Sequence, residues 1–213
     1  MKYRLLIIGL IVFHFSCTPR TSKKTDVSIN TKSNTVLTEN KIDSIEKTTK
    51  ENTDTLTGYK KYNSEYDYYL DIYKQEKLIA ADDILMLSIT DSLFTRDKGN
   101  ELFYFIVFTK SMNGSDGFYS EAVGLSCFNF ITTNPIRFAK YFLSEKKLNG
   151  NDFKNWADYI YGEIQISREN QEQEAINELE ESLKEKVKDY KKEYKELIDK
   201  LIDEIKTAHN SRS

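Results

Sequence analysis

The chain has 213 residues and a formal net charge of −3, from 31 Lys and Arg against 34 Asp and Glu, with only two histidines. A slightly negative balance argues against nucleic acid as a partner. His14 and His209 stand near the two ends, which excludes a Ser-His-Asp site, a His-ligated zinc and an imidazole general base from the body of the chain. No Gly-rich phosphate loop, EF-hand pattern or CxxC pair occurs, so neither a metal nor another cofactor is expected.

Residues 1–16 place Lys2 and Arg4 before an apolar stretch over 5–15, the layout of an export signal. About eleven apolar residues fall short of the roughly 20 that span a bilayer. The stretch ends at Ser16-Cys17, and there the chain resembles the lipoprotein class of bacterial signal peptides. The resemblance implies that Cys17 becomes the lipidated first residue of the mature protein, anchored to a membrane. The composition, rich in Lys, Asn, Ile and Tyr, resembles that of lipoproteins from low-GC bacteria, Bacteroidetes-type envelopes included. An outer-membrane location in the cell envelope is the corresponding expectation.

Over residues 17–57 Ser, Thr, Lys, Asn, Asp and Glu dominate, no aromatic occurs, and the few aliphatic residues are scattered. Such a segment buries too little apolar surface to offset its ordering entropy and reads as a disordered tether. As a flexible coil of about 40 residues it would span about 35 Å.

Aromatic residues return over 58–166, a length suited to one domain. Breakers at 97–100, 113–117, 132–135 and 148–151 divide the segment, and the short runs between them suit antiparallel helices. The runs 101–112 and 118–131 form the core; residues 102–108 have no polar interruption, which predicts a helix covered on all sides. Asn134-Pro135 predicts a helix start, followed by Phe138, Ala139, Phe142 and Leu143 at helical spacing. Phe153, Trp156, Ala157, Ile160 and Ile164 mark another helix, and Ile84, Leu85, Ile89 and Leu93 a further one. The fold class is all-α. Its first helix, predicted over about 59–81, carries Tyr59, Tyr62, Tyr66, Tyr69 and Tyr73 at spacings of three and four, a seam for half-buried packing, a partner surface or sugar stacking.

From 167 to 213 the apolar residues Ile176, Leu179, Leu183, Val187, Tyr190, Tyr194, Ile198, Leu201 and Ile205 recur with an eleven-residue period. That period predicts one long, nearly straight amphipathic helix. Such a helix would overhang the domain, so Leu183, Val187, Tyr190, Tyr194 and Ile198 are candidate contacts with a protein partner or a second copy.

Carboxylates remain for acid-base chemistry. Asp116 and Glu121, on one helical face with Gly124, could stand in a notch; the plainer reading is that Asp116 caps the helix, Glu121 gains from the helix dipole or pairs with a cation such as Arg137, and Gly124 admits a neighbouring helix. Cys127 reads as a buried, inert thiol. The favoured expectation is therefore an envelope lipoprotein presenting a helical protein-interaction module, of assembly, scaffold or immunity type, and not an enzyme. The alternatives are a glycan-binding lipoprotein using Tyr59, Tyr62, Tyr66, Tyr69 and Trp156, and a hydrolase using Asp116 and Glu121.

Overall fold

The structure, a computed structural model, describes residues 59–212. The export signal, the Cys17 anchor and the tether to residue 57 lie outside the described residues. Among the described residues the chain is all-α, with eight helices and no strand. These are α1 (Glu65–Gln75), α2 (Asp83–Ser92), α3 (Glu101–Ser111), α4 (Gly117–Thr133), α5 (Pro135–Ser144), α6 (Gly150–Ser167), α7 (Glu172–Val187) and α8 (Lys192–Arg212).

Helix α3 is the centre, since every residue from Phe105 to Ser111 is buried, and α1, α2 and α6 pack on it. The cluster around it is aromatic. Trp156 of α6 stacks on Phe105 at 5.2 Å between ring centres and meets Phe138 edge-on at 5.1 Å. Its indole donates to Thr109 Oγ1 at 3.0 Å, so the one polar atom of the ring is satisfied in the core. As a fully buried residue, Trp156 is not available as a stacking surface for sugars.

Side-chain caps set several boundaries. Ser64 accepts from Asp67 N at 3.2 Å and Asp82 from Leu85 N at 3.0 Å. Asn149 and Asp152 form a reciprocal capping box at the start of α6. Helix α5 begins at Pro135 as expected, although the Asn134 side chain makes no capping bond. Helix α1 is shorter than the predicted 59–81, because the chain turns at Glu76 with φ at +56°. The departing segment is fastened to the turn after α3 and to α1: Leu78 N donates to Asn113 O at 2.8 Å, and Tyr68 Oη to Ile79 O at 2.8 Å.

The tyrosine seam divides accordingly. Tyr68, Tyr69 and Ile72 form the buried face, with Tyr69 bonded to Ser88 at 2.8 Å. Tyr66 and Tyr73 lean on Phe103 from the rim, Tyr62 packs edge-on against Tyr68, and Tyr59 is exposed.

An amphipathic helical segment follows the first six helices as expected, but it is folded into two pieces. Residues 188–191 turn the chain, and α8 returns antiparallel along α7, with Lys206 on Glu180 at 2.6 Å and Lys184 on Asp199 at 4.0 Å. Leu179, Leu183 and Val187 of α7 and Ile198, Leu201 and Ile205 of α8 are all buried, because the pair lies on α5 and α6. The overhang expected of one long helix is therefore absent. Leu183, Val187 and Ile198, expected as partner contacts, are interior; Tyr190, in the turn, is half exposed and Tyr194 is partly covered. Burying each aliphatic side chain is worth about 1.5–3 kcal/mol, against about 0.5–1.5 kcal/mol for each helical hydrogen bond surrendered at the turn. Burial decides the outcome.

Candidate functional site

A surface cavity lies between α4 and α6. These two helices run parallel, with α5 as the return between them. The pairing can be followed from one end to the other. Asn155 Nδ2 donates to Asn113 Oδ1 at 3.0 Å just before α4 begins, and the Tyr159 hydroxyl bonds Ser115 closely and lies 3.4 Å from Ser120 Oγ. One turn on, Gly124 faces the α6 backbone: a Cβ there would stand 3.4 Å from Tyr159 O and 3.7 Å from Glu163 Cβ. Gly124 thus admits the neighbouring helix, as its place in the sequence suggests.

Beside this contact lies a cavity of about 420 Å³. From α4 it is lined by Ser120, Glu121 and Gly124, and from α6 by Asn155, Asp158, Tyr159, Gly162, Glu163 and Ile166. The α6 set recurs at three and four residues, so it is one helical face. Met112 closes the base and Arg212, at the end of α8, stands at the edge. A second cavity of about 180 Å³, bordered by Phe128, Ile164, Arg168 and Leu179, opens one turn further along α4.

The charges in the first cavity differ in their surroundings. Arg212 Nη2 lies 3.4 Å from Asp158 Oδ1, and its guanidinium stands 5.5 Å from the Tyr161 ring centre. Among the described residues Glu121 and Glu163 have no ion-pair partner. Partial burial raises the Glu163 carboxyl above its ordinary value. Ile166, which lines the cavity from α6, is 69% exposed, and Phe118 and Leu125, on the same α4 row as Glu121, are 51% and 50% exposed.

Of the carboxylates singled out in the sequence, Glu121 reaches the cavity and Asp116 does not. Asp116 stands at the N-cap of α4, exposed, with no side-chain capping bond. The two acids are not brought together in one cleft. Arg137, suggested as a partner for Glu121, instead pairs with Glu101 at 3.3 Å. Cys127 is fully buried, and burial pushes its thiol well above its usual range, which keeps it unreactive. His209 lies in α8, its ring 5.5 Å from that of Tyr161 with the tyrosine hydroxyl 3.2 Å from Nδ1.

Asp158, Gly162, Glu163 and Arg212 escaped sequence reasoning. The signal available was Gly162 in the middle of an amphipathic helix, where a glycine costs roughly 0.5–1 kcal/mol relative to alanine unless the space it leaves is used. Among the described residues no group of three or more His, Cys, Asp and Glu side chains could hold a metal ion, and no helix is long and apolar enough to cross a membrane. Comparisons with protein-family models, with curated proteins and with solved structures found no match.

Proposed function

We propose that this protein is a cell-envelope lipoprotein, anchored through Cys17 in the outer membrane, whose helical domain binds another protein through the α4–α6 face. The observation that carries the reading is the exposure of Phe118 and Leu125 on α4 and of Ile166 on α6, the last lining the first cavity. Large apolar side chains exposed beside a concave place are a docking signature, whereas Ile84, the most exposed large apolar residue among the described residues, borders no such cavity. The glycan alternative has less support, because Tyr69 and Trp156 are buried and the exposed Tyr59 and Tyr66 border neither α4–α6 cavity. The hydrolase alternative loses its acid pair with Asp116 outside the cavity.

Two experiments test the two halves. Cys17→Ser should release the protein from the membrane fraction; retention of the variant after signal removal would contradict the anchor. A photo-crosslinking residue placed at Leu125 in the full-length protein should give a discrete adduct with one partner in intact cells, whereas the same residue at the exposed Lys98 should not. Absence of an adduct at Leu125, or an identical one at Lys98, would contradict the docking face.

A further inference from the structure

The first cavity has two features that a purely apolar docking surface does not require. Glu121 and Glu163 enter it from facing helices, and among the described residues neither is ion-paired. Glu121 is exposed and Glu163 half-buried; Met112, Gly124, Gly162 and Ile166 supply apolar or backbone wall among the polar Ser120, Asn155, Asp158 and Tyr159, and a Cβ built at Gly162 would meet nothing within 4 Å. A cation carried on an apolar stem fits both features, with its charge at the carboxylates and its methylenes along the floor. The chain supplies a precedent at the edge of the same cavity, where the Arg212 guanidinium rests between Asp158 and the Tyr161 ring.

We infer that the cavity receives a single Lys or Arg side chain of the partner polypeptide, held by Glu121 and Glu163; the inference rests on the reading of the α4–α6 face as a docking surface. The cavity's setting favours a side chain over a free amine. Ile166 lines it, Leu125 follows Gly124 on α4 and is half exposed, and the second cavity, bordered in part by Phe128, Ile164 and Leu179, opens one turn further along α4, so residues on either side of the cation also meet apolar surface. The position of Glu163 adds a sign. Partial burial raises its carboxyl above the ordinary value, and a seated cation draws it back down. Binding then releases protons in that window and weakens as pH falls through the titration of Glu163.

The test uses the full-length protein in detergent micelles, with the methyl resonances of Ile166 as the reporter. The probe is a five-residue peptide with a central arginine between alanines and terminal leucines, and its control carries citrulline in place of arginine. The arginine peptide should shift Ile166 and bind at least tenfold more tightly than the citrulline peptide. Glu121→Gln combined with Glu163→Gln should abolish that difference, while Asp203→Asn, an exposed acid on α8, should preserve it. Equal binding of the two peptides overturns the inference, and so does methylguanidinium alone binding as tightly as the arginine peptide, which would mark a site for small amines. Crosslinking from Leu125 separates the two levels of the reading. An adduct that forms equally in the wild type and in the Glu121→Gln, Glu163→Gln variant leaves the docking face standing and overturns the basic anchor; no adduct in either background overturns both.

Discussion

Truncation after Lys188, which removes α8, should unfold the domain rather than trim an appendage from it. Ile198, Leu201, Ile202 and Ile205 of α8 are buried against α6, α5 and α7. Each contributes about 1.5–3 kcal/mol of burial. Four such residues together approach the whole stability of an ordinary domain, about 5–15 kcal/mol. The loss is larger still because Ile160, Tyr161, Ile164, Leu179 and Leu183, all buried in the intact protein, would face water. Thermal unfolding followed by circular dichroism should show no cooperative transition for the truncated chain. A sharp transition near that of the intact protein would mean that α8 is an accessory. The point substitution Leu201→Ala, expected to cost about 2–5 kcal/mol, gives the same answer in a chain that still folds.

The second large effect is expected at Lys110→Met. Lys110 is 1% exposed and its ammonium lies 2.9 Å from Asp152 Oδ2, itself 1% exposed, and 3.0 Å from Glu76 Oε2. The same Asp152 oxygen accepts from Asn149 N at 2.9 Å, so the ion pair and the α6 cap share one carboxylate. Removing the lysine leaves Asp152 charged and buried with only its cap bond, a change expected to cost about 3–5 kcal/mol. Glu76 loses less, being partly exposed and still paired with Lys147 at 3.2 Å. Urea unfolding should show the loss as a lower midpoint at unchanged slope. Lys110→Met combined with Asp152→Asn should recover part of it, since the amide keeps an acceptor for the cap without a buried charge. Desolvation draws the Lys110 ammonium down, and the hydrogen bonds to Asp152 and Glu76 outweigh it, so the net shift is upward. A folded value above the unfolded one means that this contribution is complete below the ordinary lysine value and is lost as pH rises past it. The stability difference between wild type and Lys110→Met should therefore be constant through neutral pH and shrink only in alkali.

Periodicity and breakers carry most of the fold. Asn134-Pro135 starts α5, the stripe from Phe153 to Ile164 is the buried face of α6, and the unbroken run before Thr109 is helix α3, covered from Phe105 on while Leu102, Phe103 and Tyr104 stay partly exposed. What periodicity could not show is the turn at 188–191. It contains neither glycine nor proline, and the apolar repeat continues in phase across it, so a hairpin and a single helix share one pattern. Only the burial available on α5 and α6 separates them, and that is a tertiary quantity. Lys110 was hidden for a related reason. A lysine at the end of an apolar run reads as the wet end of a helix, and its partner Asp152 lies 42 residues away.

The candidate site was half legible. Glu121 and Gly124 stand out in sequence because a carboxylate and a glycine on one helical face mark a notch. Glu163 and Asp158 read as ordinary solvated positions of an amphipathic helix, and nothing local assigns them to a cavity. Their role comes from the parallel register of α4 and α6, which the return through α5 creates. Arg212 enters from the far end of the chain because α8 folds back.

On the proposed function, the α4–α6 face is covered in the envelope. Maleimide labelling of Leu125→Cys in the full-length protein tests it directly, since Cys127 is fully buried and does not compete. The thiol at position 125 should react at least tenfold more slowly in intact envelopes than in the purified protein, while Lys98→Cys should react equally in both. Equal labelling of Leu125→Cys in envelopes and in purified protein would contradict the claim.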